Sequence, residues 1–252
     1  MASTLPDCAM CNNPATLRCS SCHCRNLYCS KSCQRADWKL HKLLCSSRPS
    51  FETPPTDSSR RAIVFLTNGE IKFTWETIKM VTDHDDGTIS ESPIGLEKYF
   101  GGQRPDYQLY YNNIMRGRRL KDRIELRLND NFLTDGSEKN FAVCKVVQGM
   151  DDGGSVWRAP LLALKETRSW VDNQRLWANP TPKYGHMDMG DLREVVDYLT
   201  NWKRVTSQNY PTQPRKTYSQ QCFFLSMFLC FCCISWLVGH CNGCDGSHGS
   251  HA

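Results

Sequence analysis

The sequence predicts two folded units, a small zinc-stabilised finger carrying two zinc ions and an α+β domain, followed by a C-terminal hydrophobic helix that is a candidate transmembrane span. Three observations carry this expectation. Of 15 cysteines, eight crowd between Cys8 and Cys45, one stands alone at Cys144 and six lie between Cys222 and Cys244. Residues 61–204 mix strand-like alternation with one clear helical run, and residues 222–238 contain no charge. The resulting boundaries are 1–46 for the finger, 47–60 for a linker, 61–204 for the α+β domain, 205–221 for a second linker, 222–238 for the apolar segment and 239–252 for a disordered tail.

The N-terminal cysteines set the chemistry of the finger. Residues 1–11, MASTLPDCAMC, hold no apolar core of the length that a secretory signal needs. The expectation is therefore an intracellular, reducing compartment, in which thiolates serve as metal ligands rather than disulfide partners. Zinc favours a tetrahedral shell of thiolate and imidazole, which a short chain supplies most easily as pairs separated by two or three residues. Four such pairs are present: Cys8 with Cys11, Cys19 with Cys22, Cys29 with Cys33, and His41 with Cys45. The last two have i, i+4 spacing, which puts both ligands on one face of a helix. Two pairs fill one ion, so four pairs imply two.

The stretch YCSKSCQRADWKLHKLLC, residues 28–45, resembles the MYND zinc finger, whose core reads Tyr-Cys-Ser-x-x-Cys-Gln, then Asp-Trp, His-Lys and a closing Cys. The resemblance covers about 40 residues of the chain. It implies an interleaved cross-brace, with Cys8, Cys11, Cys29 and Cys33 on the first zinc and Cys19, Cys22, His41 and Cys45 on the second. One departure stands out: the interval from Cys22 to Cys29 is a residue longer than the family's usual pattern and contains an extra thiol, which leaves Cys24 as a substitute for Cys22. All eight positions filled by protein would leave no site for an activated water, so these zincs are expected to be structural and the finger non-catalytic. Forty residues bury too little apolar surface to fold unaided, which makes metal binding part of the folding free energy. The resemblance further implies a module that binds partner proteins through short proline-containing peptides. Gln34 and Trp38 are the expected contact residues.

Downstream, AIVFL (62–66) and IKFTW (71–75) flank Asn68-Gly69 and predict a β-hairpin. TDHDDG (82–87) reads as a solvated turn, LEKYF (96–100) as a short helix, and IELRL (124–128) and AVCKVVQ (142–148) as strands. Residues 188–204 place apolar side chains at helical spacing behind Asp188 or Asp191 as N-cap. Nothing in 61–204 matches a catalytic motif. The Asn-His-Ser/Cys signature of SET-domain methyltransferases is absent, since Asn112-Asn113-Ile114 does not supply it.

The apolar run CFFLSMFLCFCCISWLV (222–238) sits at the short limit for a bilayer-spanning helix, with Arg215 and Lys216 before it. The positive-inside tendency would leave the main body facing the cytosol. The principal expectation is an adaptor that recruits proline-containing partner peptides and is tethered to a membrane by this segment. The alternatives are a nuclear transcription regulator, or an enzyme whose site lies unrecognised in 61–204; without the anchor the location is cytoplasm or nucleus. Residues 1–50 carry seven Lys/Arg against two acids, yet the cations are spread and lack interleaved aromatics, so direct nucleic-acid binding is not expected.

Overall fold

The computed structural model describes residues 6–24, 27–82, 87, 89–147, 157–167 and 183–207. In the finger, β1 (Leu17–Arg18) pairs antiparallel with β2 (Leu27–Tyr28). Helix α1 (Lys31–Cys45) comes next, its first turn capped by Ser30, whose hydroxyl accepts from the Cys33 amide at 3.3 Å.

The alternation in the middle of the chain becomes one antiparallel sheet. Strands β3 (Ser59–Phe65) and β4 (Ile71–Thr82) form the expected hairpin, in register from Phe65 opposite Ile71, with Gly69 at φ +90° closing the turn. To these are added β5 (Ile89–Ile94), β6 (Asp106–Asn113), β7 (Arg118–Leu128), β8 (Leu161–Thr167) and β9 (Lys183–Gly185). The order across the sheet is β5-β4-β3-β8-β7-β6, with β9 on β8. Residues 96–100 contribute a short 3-10 turn, Leu96–Tyr99.

Side chains alternate across this sheet, and both faces are buried. One face presents Ile63, Phe65, Ile124, Leu126 and Ala163 to helix α3 (Met189–Ser207), which contributes Leu192, Val195, Val196 and Leu199. The other presents Ala62, Val64, Leu162 and Leu164 to Leu96, Phe100 and Tyr184. The start of α3 is a reciprocal cap: the Met189 amide donates to the Asp188 carboxylate at 2.8 Å while the Asp188 amide donates to the Asp191 carboxylate at 2.6 Å.

One element departs from its sequence pattern. AVCKVVQ, expected as a strand, is instead helix α2 (Phe141–Val146). The deciding residue is Asn140, 1% exposed. Its side-chain oxygen accepts from the Val143 amide at 2.9 Å, and its NH2 donates to the Phe65 and Ala159 carbonyls at 3.1 and 2.7 Å. A capped first turn fastened to β3 and to the segment leading into β8 outweighs the β-propensity of a valine-rich run.

The expected linker is also structured. Residues 48–51 form a 3-10 turn with Pro49 in its first positions. The Phe51 ring packs on Phe73 and Trp75 with centroids 5.8 and 5.7 Å away, and Arg48 pairs with Asp188 at 3.1 Å. The described residues up to 204 accordingly pack as one compact unit rather than as a finger on a tether. Apolar side chains of the finger, Leu40 and Leu44 among them, share the core under α3. The turn residues 83–86, the apolar segment 222–238 and the tail 239–252 lie outside the described residues. Among the described residues no helix is long and apolar enough to cross a membrane.

Candidate metal centre

Two groups of four ligand-type side chains converge, each with its ligand atoms within 4.8 Å of one another. The first joins Cys8 and Cys11, from the N-terminal loop, to Cys29 and Cys33 at the start of α1. Backbone bonds hold that loop in place: the Cys8 amide donates to the Asn13 carbonyl and the Ala9 amide to the Leu27 carbonyl, each at 2.9 Å. Sulfur separations are 3.5 Å for Cys11 to Cys29 and 3.6 Å for Cys29 to Cys33. A tetrahedral zinc with Zn–S of about 2.3 Å requires sulfur–sulfur edges of about 3.8 Å, so the cluster has the right size for that ion. Burial alone would raise the Cys8 thiol, yet amide donors from Met10, Cys29 and Cys11 bring it down to about 7.

The second group, Cys19, Cys22, His41 and Cys45, is wholly buried. Cys19 and Cys45 lie 3.8 Å apart and Cys22 Sγ stands 3.4 Å from His41 Nε2. Cys24 is also buried, at 1% exposure, and shares the apolar core with Cys19, Cys22 and Cys45, but its sulfur is not among the four converging ligand atoms. His23, between the two thiols, takes a left-handed φ of +46°, which turns the chain after Cys22. Burial pushes the Cys45 thiol up to about 12, with Cys19 and Cys22 adding to the effect. Ionising three thiols together in this buried group, beside a neutral imidazole, needs the charge of a bound cation.

The imidazole is oriented from behind. Tyr28 donates its hydroxyl to Asp37 Oδ2 at 2.6 Å, and the same oxygen lies 3.2 Å from His41 Nδ1. With its own proton committed to the carboxylate, the tyrosine oxygen accepts from Nδ1–H, which leaves the Nε2 lone pair facing the cluster. Burial holds His41 below its ordinary value, against the pull of Asp37 and Asp188, so the ring is neutral when it offers that lone pair.

Asp37 also joins the finger to α3. Arg193 directs Nε and Nη2 onto Asp37 Oδ1 at 2.8 and 2.6 Å. Asp197, one turn along α3, takes Arg116 at 2.7 Å, and Arg116 donates to the Met10 carbonyl at 2.7 Å. Arg118 donates to the Cys8 carbonyl at 2.7 Å and pairs with Glu194. Asn113, from the triplet Asn112-Asn113-Ile114 that fails to supply a methyltransferase signature, is buried and donates to Glu194 and Asp197 at the same joint. Guanidinium groups from the β6–β7 turn, β7 and α3 thus reach the loop of the first cluster and the support of the second. The Asp-Trp pair of the finger pattern already held Asp37, but no sequence pattern pairs it with Arg193, because partners 156 residues apart meet through the fold alone.

Trp38 and Gln34 lie one turn apart on α1. Trp38 is 47% exposed and its ring stacks on His41 with centroids 5.8 Å apart and planes 25° from parallel, while Gln34 is half-buried. Beyond the finger, Cys144 is half-buried on α2, and His186 Nδ1 accepts from the Arg61 amide at 3.1 Å. No other group of three or more metal-ligating side chains converges among the described residues.

The MYND finger family model matches residues 8–45. Relatives include SET domain-containing protein 14 of Caenorhabditis elegans, 49% identical over 43 residues, which are 17% of this chain and 10% of that protein. Dauer abnormal formation protein 25 of the same organism is 35% identical over 65 residues, 25% of this chain and 16% of the relative. Deformed epidermal autoregulatory factor 1 of Drosophila melanogaster is 44% identical over 46 residues, 18% of this chain and 8% of the relative. The chain therefore spans less than a fifth of the length of these relatives. No solved structure matches it. Residues 8–45 are a MYND finger with two structural zinc sites, a protein-interaction module whose ions carry no catalysis.

The joint to α3 has a measurable weight. Removing one member of a buried ion pair costs about 3–5 kcal/mol, because the other charge is left buried and uncompensated. Arg193→Ala is expected to lower the stability of the zinc-loaded protein by about 3 kcal/mol in chemical denaturation. Arg193→Lys should recover only part of the loss, since an ammonium cannot bring two fixed N–H groups onto one oxygen.

Proposed function

We propose that the chain is an adaptor whose finger recruits partner proteins by their short proline-containing peptides, docked at Gln34 and Trp38. The observation that carries this reading is Trp38: a large aromatic surface left 47% exposed, yet held rigid by stacking on His41. A fixed aromatic wall receives a proline ring at little entropic cost. Both residues of β1 are exposed and pair with β2 on one side, which offers an extended peptide a short strand edge. The half-buried amide of Gln34, one turn from Trp38, is placed to hydrogen-bond the peptide backbone. In this reading residues 61–204 hold the finger at a fixed angle through Arg116, Arg118 and Arg193, and leave its outward face clear.

The same reading assigns the ligands as Cys8, Cys11, Cys29 and Cys33 for one zinc and Cys19, Cys22, His41 and Cys45 for the other, with Cys24 outside the shell. Its support is the position of Cys22 Sγ beside His41 Nε2. Tethering to a membrane through residues 222–238 completes the proposal and rests on the apolar run itself. Resemblance to a SET domain-containing protein brings no enzyme reading with it, since the match spans 43 residues of this chain.

Three measurements test these points. Native mass spectrometry should find two zincs per chain, reduced to one by Cys22→Ser and unchanged by Cys24→Ser; the reverse pattern would exchange the two thiols. Trp38→Ala is expected to weaken binding of a proline-containing peptide at least tenfold by fluorescence anisotropy, with zinc content unaltered. An equal affinity in that variant would remove the docking site from this face. Cell fractionation should find the full chain in membranes and a chain ending at residue 221 in the soluble fraction.

A further inference from the structure

The docking face is more sharply defined by charge than by its aromatic residue. Lys31, Arg35, Trp38 and Lys42 succeed one another at i, i+4, i+7 and i+11 along α1, a spacing that sets them in a single line on the helix. All four are exposed. The acid that α1 does possess, Asp37, is turned inward at 1% exposure and engaged by Tyr28 and Arg193. The helix itself therefore places no negative charge on its outward face. Arg48, Arg116, Arg118, Arg123, Arg127 and Arg193 all have carboxylate partners. Lys31, Arg35 and Lys42 have no ion-pair partner among the described residues.

We propose that this cationic line around Trp38 selects partner peptides that carry anionic side chains, carboxylate or phosphate, beside the docked proline. The inference rests on the reading of Trp38 as the docking wall and names the chemistry of what docks there. The line from Lys31 to Lys42 is about 16 Å long at 1.5 Å rise per residue, enough to run beside about five residues of extended peptide. Its three cations are not equal. Lys31 lies two turns from Trp38, whereas Arg35 and Lys42 each lie one turn from it. Arg35 and Lys42, flanking Trp38 farther along the helix, carry most of the selection. Arg35 adds planar donors that match a carboxylate or phosphate group.

The test uses the full zinc-loaded chain and fluorescence anisotropy with three labelled peptides that share a central proline pair. Their flanks are neutral, glutamate or phosphoserine. The glutamate peptide is expected to bind about five- to tenfold tighter than the neutral one at low salt, the sum of two exposed charge pairs. The phosphoserine peptide should bind more tightly than a singly charged flank allows. Both advantages should vanish at 1 M salt, where the Debye length falls to about 3 Å. Arg35→Glu combined with Lys42→Glu should abolish the preference for the anionic peptides, with two zincs retained. Equal affinity of neutral and glutamate peptides, both lost in Trp38→Ala, would overturn the charge selection and leave the docking reading standing. Failure of every peptide to bind takes down docking and selection together. So does tight binding of a duplex oligonucleotide in place of the peptides, if the same charge reversals abolish it.

Discussion

Coordination of two cations by eight side chains is the constraint on which the finger depends, and through Asp37 that constraint reaches the rest of the molecule. The second zinc site draws His41 into a chain of contacts running through the Tyr28 hydroxyl to the Asp37 carboxylate and on to Arg193 of α3. Each partner satisfies one need of its neighbour: the imidazole gains a fixed tautomer, the carboxylate loses its isolation, and the guanidinium is neutralised in a place with little water. A buried carboxylate is costly without such partners. Asp37 therefore holds the helix that carries the ligands and the helix that completes the sheet in one register.

This arrangement explains why the two metal sites have different surroundings. The second is wholly buried, since Cys19, Cys22 and Cys45 belong to the same apolar cluster as Leu192, Val195 and the inner residues of β7. The first lies farther out, in a small cluster of its own with Ala9, Ala15 and Leu27, and is tied to the sheet by arginine side chains that donate to backbone carbonyls of the Cys8 loop. One site is stabilised by packing and the other by charged hydrogen bonds. Both leave the outward face of α1 untouched, so the surface around Trp38 is presented by a helix fixed along its whole inner side.

Several elements could be read directly from residue spacing. The Asn68-Gly69 hairpin, the helix behind Asp188 and the paired metal ligands are local patterns, set by turn chemistry, helical periodicity and zinc geometry acting over a few residues. Helix α2 was not legible, because Val143, Val146 and Val147 favour a strand locally and the balance was tipped by Asn140 reaching the Phe65 and Ala159 carbonyls. The packed state of residues 47–60 was equally hidden: a stretch rich in Ser, Thr and Pro looks like a tether until Phe51 finds Trp75 and Arg48 finds Asp188.

By itself the sequence determined the chemistry of the finger, its two-ion stoichiometry and the α+β character of residues 61–204, because ligand type and period are properties of neighbouring residues. Tertiary structure decided that finger and sheet are one body, that Cys22 rather than Cys24 stands beside His41, and that Asp37 faces inward and leaves the exposed side of α1 to cations. These outcomes turn on partners far apart in the chain. No local pattern records them, since burial and charge pairing are settled when distant segments meet.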